Sequence, residues 1–209
     1  MNSEYVIYAV AAVVLVAALA LAVMGIEYLL RYLFHLFTFP GVVVHEFAHA
    51  TACRAVGVPV LEVVYFRFDD PPGYVRHVNP ARYRQSVVIS VAPFLVNTIV
   101  SFGAFLGLGV LVSMTESIGA AQPETIIAGL VLTWIGLSVG MHAFPSTTDA
   151  KTLWDRSRQE WRRSPIVLLG IPVVALIYVV NLLSWLWAHV FYAIGLLVTA
   201  LYLVWTLLF

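Results

Sequence analysis

Long apolar stretches run along most of this chain, and short polar breaks cut them into lengths that suit a bilayer. A membrane-spanning helix takes about 20 mostly apolar residues. On that measure the first candidate covers Tyr5 to Ile26 and continues as an interfacial stretch through Glu27, Arg31 and His35. It has no basic leader and no clear small-residue cleavage site, so it reads as a retained span. The second covers Phe39 to Gly57, the third Gln85 to Ser113 and the fourth Glu124 to Phe144. The final apolar block, Ile166 to Phe209, would be about 66 Å long as one helix at 1.5 Å per residue, twice a bilayer. It is expected to fold back near Asn181 to His189 and to supply two spans. Between the second and third spans, Val60 to Phe68 is rich in β-branched and aromatic residues. Asp69-Asp70-Pro71-Pro72-Gly73 carries turn chemistry, and Tyr74 to Val78 is a second short run, the pattern of a β-hairpin. The expected fold is an all-α polytopic membrane protein: about six transmembrane helices, with a small membrane-associated β-hairpin between the second and third. Residues 1–209 read as a single integral membrane domain that closes in a helical hairpin over about 165–209.

Composition agrees with that pattern. Hydrophobic residues make up 62% of the chain and charged residues 11%, against about 45–50% and about 25% in soluble domains. A soluble core of this size does not bury so much apolar surface, so the lipid bilayer is an expected partner. Formal net charge is zero and no basic stripe interleaved with aromatics occurs, which gives nucleic-acid binding no support. Cys53 is the only cysteine, excluding an intrachain disulfide framework and a cysteine-built zinc site. Charge also suggests orientation. Arg67, Arg76, Arg82 and Arg84 follow the second span; Lys151, Arg156, Arg158, Arg162 and Arg163 follow the fourth. The loop from Met114 to Glu124 carries only Glu116 and Glu124. By the positive-inside rule the basic loops are cytoplasmic, and six spans then put both termini there, in a multi-pass protein of the cell membrane.

Against this apolar background, Val42-Val43-Val44-His45-Glu46-Phe47-Ala48-His49-Ala50 places three ionisable groups within five residues of one span. Such groups are costly in a membrane and point by default to function. Residues four apart on a helix lie on one face, so His45 and His49 can both reach one metal, with Glu46 beside them to handle a water molecule. The plainer alternative is a set of polar groups bonded to neighbouring helices. A catalytic zinc takes three protein ligands and keeps an open position. Asp149, just past the cytoplasmic end of the fourth span, is the candidate third ligand. Its competing role is the N-cap of a helix starting at Ala150.

At this point the chain resembles the site-2 protease family of intramembrane zinc proteases, in the compact form without a PDZ domain. Three motifs carry the resemblance. His45-Glu46-x-x-His49 lies within a span. Ala92-Pro93-Phe94-Leu95-Val96-Asn97 is similar to the family's Gly-Pro-x-x-Asn, with Asn97 one residue further from the proline. The Pro145 to Asp149 segment is similar to Asn-x-x-Pro-x-x-x-x-Asp-Gly, but His142 replaces the Asn, Ala150 replaces the Gly, and the spacing is one residue shorter. The matched region, about 39–154, would be the catalytic core. The resemblance implies one zinc ion per chain and hydrolysis of a peptide bond in a transmembrane protein substrate, with the active site opening to the cytoplasm. Asn97 would bind substrate backbone or the oxyanion, against the alternative of an interhelical hydrogen bond. His142 would approach the zinc or bind substrate, against that of a satisfied polar group at a helix end.

The residues suggest the same chemistry. Zinc held by His45, His49 and Asp149 would activate a water molecule, and Glu46 would take its proton and pass it to the leaving amine. Cys53 shares the ligand face but reads as a small buried residue, and His77 reads as a solvated hairpin residue. Two other functions fit the pattern: a catalytically inert membrane scaffold or binding protein, and a zinc hydrolase of another membrane substrate.

Overall fold

A helix in lipid satisfies its backbone internally, and this chain is built mainly of such helices. The structure, a computed structural model, describes residues 3–115, 122–160, 167, 172, 175, 176, 179 and 187–208. In order these form α1 (Ser3–Ala55), β1 (Val60–Val64), β2 (Tyr74–His77), α2 (Tyr83–Ser113), α3 (Pro123–Met141), α4 (Thr147–Glu160) and α5 (Ala188–Leu208). Four segments are long and apolar enough to cross a membrane: Val10–Ala55 within α1, and all of α2, α3 and α5. The first two expected spans lie on one continuous helix. Residues 27–38 lower the hydropathy but contain neither Gly nor Pro, and half of them are good helix formers (Leu, Arg and Glu), so the polar dip does not break the backbone. Most of the expected fifth span and of the turn from Asn181 to His189 lies outside the described residues.

By contact the chain divides into two compact units, Met1–Phe37 and Thr38–Phe209. In the first, α1 is apolar and exposed on all sides, with Val13, Leu15 and Leu21 all more than 60% exposed. A helix that is hydrophobic all round suits a lipid surrounding. Every expected site residue belongs to the second unit.

There, α2 is the packing centre, meeting α3, α4 and α5. Its buried residues Tyr83, Ser86, Ser90, Pro93, Asn97, Ser101 and Phe105 recur every three or four positions, the spacing of one helix face. The facing part of α3 buries Gly136, Ser138 and Gly140. Small residues let apolar helices approach and bond across the contact: Ser101 Oγ donates to the Gly136 carbonyl at 2.7 Å. Thr98 and Tyr192 bond at 2.7 Å, and Tyr192 stacks near Phe94 and Phe144, which ties α5 to the same face.

The 38–55 part of α1 joins this bundle through Gly41. Its N–H donates to Ser138 Oγ at 2.9 Å, and a Cβ there would collide with the Ser138 carbonyl and with His142 Nδ1. Gly57, at φ +71°, ends the helix in a left-handed turn. The chain then enters the antiparallel hairpin, where Glu62 faces Arg76 and Val63 faces Val75. Strand β1 is shorter than the expected Val60–Phe68 run because Tyr65 to Gly73 forms the connecting loop. Arg67 closes that loop: its N–H bonds the Pro72 carbonyl at 2.7 Å and its Nε the Pro71 carbonyl at 2.8 Å.

Gly41→Val should therefore destabilise the protein by about 1–3 kcal/mol through overpacking. Gly103→Ala, where a Cβ meets nothing within 4 Å, should not destabilise it. Thermal unfolding in detergent reads both; equal melting points for the two variants would contradict the close approach.

Candidate metal centre

His45 and His49 are one turn apart on α1, their ring centroids 4.9 Å from each other. In both, Nδ1–H donates to a carbonyl of another segment: His45 to His142 at 2.7 Å, His49 to Ile89 at 3.0 Å. Those bonds select the tautomer that leaves Nε2 with its lone pair free, the arrangement seen in metal-ligating histidines. His49 Nε2 lies 3.6 Å from Asp149 Oδ2. One donor atom from each of His45, His49 and Asp149 fits within a mutual separation of 4.8 Å. Tetrahedral zinc with bonds of about 2.0–2.1 Å needs ligands about 3.3 Å apart, so this trio is close enough to hold a metal ion after small side-chain adjustments. Among the described residues it is the group of three or more His, Cys, Asp or Glu so placed.

Asp149 stands where local chemistry fixes it. Helix α4 starts at Thr147, three residues earlier than the Ala150 start considered from sequence. Ser146 Oγ accepts from the Asp149 N–H at 3.2 Å, and Asp149 Oδ2 accepts from the Ser146 N–H at 3.0 Å, a reciprocal capping box. Capping and facing the histidines are therefore compatible, and one carboxylate does both. Burial of that carboxyl favours the neutral acid, but a protonated His49 facing it, a positive charge that a metal ion would replace, and the hydrogen bonds from Ser146 outweigh it. They hold Asp149 well below the usual carboxylate range, as an anion at neutral pH.

Glu46, His45, His49, His142 and Asp149 all line one cavity of about 400 Å³. Its opposite wall is Pro71, Pro72 and Gly73 of the hairpin loop, with Tyr74, Val75 and His77 of β2. Gly73 rests directly on Glu46: a Cβ there would lie 2.8 Å from Glu46 Cγ and 2.9 Å from Val42 Cγ1.

No protein-family model, no curated protein and no solved structure matches this chain.

The other expected site residues fall in different places. His142 lines the cavity outside the ligand trio, with its Nδ1–H donating to the Ser138 carbonyl at 3.0 Å. Asn97 is fully buried and does not line the cavity. Its amide donates to the carbonyls of His142 at 2.9 Å, Val139 at 3.3 Å and Gly41 at 3.4 Å, so it makes interhelical bonds. Cys53 packs in an apolar cluster with Ala52, Val58 and Ile89, outside the trio. His77, read from sequence as solvated, lines the cavity and bonds the Val78 carbonyl through Nδ1 at 2.8 Å. Strand alternation marks Val75 and His77 as one face of β2, but nothing in the sequence says that this strand borders the site.

Metal analysis of the purified protein should give one equivalent per chain. His45→Ala, His49→Ala and Asp149→Ala should each lower occupancy at least about tenfold, while Cys53→Ala keeps it. Full occupancy in any of the three ligand variants would remove that residue from the site.

Proposed function

We propose that this chain is an intramembrane zinc metalloprotease of the site-2 protease type, hydrolysing peptide bonds of membrane-spanning substrates. The observation that carries the reading is Glu46 in one cavity with a three-donor group, beneath the hairpin. A site that only bound metal would have no use for a buried carboxylate beside the ligands.

The donor set favours zinc. Two imidazole nitrogens and one carboxylate suit that ion, whereas magnesium and calcium take oxygen ligands. When bound, zinc supplies Lewis-acid chemistry, acidifying a water molecule and polarising a carbonyl. The chain's own residues do the rest. Glu46 accepts the proton of the attacking water and delivers it to the leaving amine. Among the described residues β2 pairs with β1 alone, so an unwound substrate segment can add to its free edge along the cavity. Extension matters because a helical substrate hides its backbone in hydrogen bonds. His142, in the cavity wall, is placed to contact that segment.

The charge asymmetry supports a cytoplasmic side for the hairpin and α4, with the cavity opening there and the acidic 114–124 loop on the opposite side. The cytoplasmic C-terminus belongs to the same proposal; the six-span count and a cytoplasmic N-terminus would need a turn between the first two spans, where α1 is one continuous helix.

Glu46→Gln should keep the metal and lose at least about 100-fold in cleavage rate, so intact membrane substrates accumulate in a strain carrying it. Cleavage at the wild-type rate would refute the mechanism. Reporter fusions within 151–160 and within 114–124 should report opposite sides of the membrane; the same side for both would overturn the orientation.

A further inference from the structure

A metal site depends on what holds its ligands, and here α2 contributes none of the ligands yet bears on both histidines. We propose that Pro93 and Asn97, one turn apart on α2, are positioning residues of the metal centre. Pro93 frees the carbonyl that orients His49, and Asn97 fixes the carbonyl that orients His45. The inference rests on the metal-centre reading of His45, His49 and Asp149.

Ile89, Pro93 and Asn97 follow one another at four-residue spacing on the buried face of α2. In an uninterrupted helix the Ile89 carbonyl would accept the N–H of residue 93. Pro93 has no N–H, and a proline ring presses against the carbonyl four residues back and tilts it off the helix axis. An acceptor is thus freed in the interior of an apolar helix, where a donor from a neighbouring helix can satisfy it. The Nδ1–H of His49 fills it at 3.0 Å. With that proton committed, Nε2 is the ring atom left to face Asp149.

The acceptor for His45 comes from a helix end instead. His142 is the C-cap of α3, so its carbonyl is among those the helix leaves unbonded. It takes two donors, Asn97 Nδ2 at 2.9 Å and His45 Nδ1 at 2.7 Å, which uses both lone pairs. The Asn97 amide can be oriented in only one way, since flipping it would turn its oxygen toward three carbonyls. In this orientation Oδ1 is buried with no hydrogen-bond partner among the described residues. An apolar residue would pack there without that cost, so what Asn97 contributes is its donors.

The test is zinc affinity by chelator competition in detergent, together with thermal unfolding of the metal-free protein. It compares wild type, Pro93→Ala, Asn97→Ala and Ser101→Ala. Ser101→Ala deletes a hydrogen bond from α2 to the Gly136 carbonyl and leaves both orienting carbonyls alone. Pro93→Ala and Asn97→Ala should weaken zinc binding about 10–100-fold, with Ser101→Ala within about twofold of wild type. Pro93→Ala also restores a helical N–H, which offsets the bond lost at His49, so its unfolding temperature should stay close to wild type. Weaker metal binding without lower stability is a combination that a merely structural role does not produce. Wild-type affinity in Pro93→Ala and Asn97→Ala, or an equal loss in Ser101→Ala, would overturn the proposal while leaving the metal centre standing. Should Asn97→Ala not fold, Asn97→Leu fills the volume without the amide and reads the same quantity. A wild type that holds no zinc would overturn the metal-centre reading and this inference with it.

Discussion

In an apolar bundle, a backbone carbonyl without a donor and an imidazole N–H without an acceptor each raise the free energy by roughly 1–3 kcal/mol. This chain sets those two deficits against each other. Helix α1 brings two histidines into the bundle; α2 and the end of α3 offer carbonyls that their own helices leave open at Ile89 and His142. Each bond satisfies both partners and turns Nε2 toward the same point. Two ordinary interruptions of helix geometry, a proline and a terminus, thereby give the histidines fixed tautomers and directions.

The remaining parts depend on that arrangement. Gly41 lets α1 approach α3 closely enough for His45 to reach the His142 carbonyl. The capping box at Ser146 and Asp149 begins α4 with the carboxylate toward His49. The hairpin loop, closed by Arg67, lays Gly73 over Glu46 and completes the cavity wall. Stability and site geometry therefore rest on the same contacts, and disturbing the α1–α3 approach disturbs both.

Much of this was legible in the sequence, for reasons that separate cleanly. His45, Glu46 and His49 stood out because ionisable groups within an apolar run have few structural uses. The hairpin was readable from Asp69-Asp70-Pro71-Pro72-Gly73, since turn residues act locally. The sequence offers Asp149 either as a third ligand or as the N-cap of a helix starting at Ala150. The structure places it beside the histidines and in a capping box with Ser146, because only geometry chooses the helix start. The hydropathy dip at Glu27 to His35 reads as an interfacial stretch dividing two spans, yet hydropathy reports solvent preference and not backbone continuity, and α1 runs through it. Asn97 takes the interhelical alternative left open for it, and His77, expected as a solvated hairpin residue, lines the cavity. Both depend on long-range packing, which no local pattern records. The effect of Pro93 on Ile89 follows from a four-residue spacing visible in the sequence, but its meaning appears only when His49 is seen opposite.

The central claim is that His45, His49 and Asp149 hold one zinc ion. X-ray absorption at the zinc edge of the purified protein tests it most directly. Zinc held by this trio should show a first shell of nitrogen and oxygen alone at about 2.0–2.1 Å, with outer-shell scattering from two imidazoles. A sulfur neighbour at about 2.3 Å, which only Cys53 or a methionine could supply, or the absence of bound zinc would contradict it.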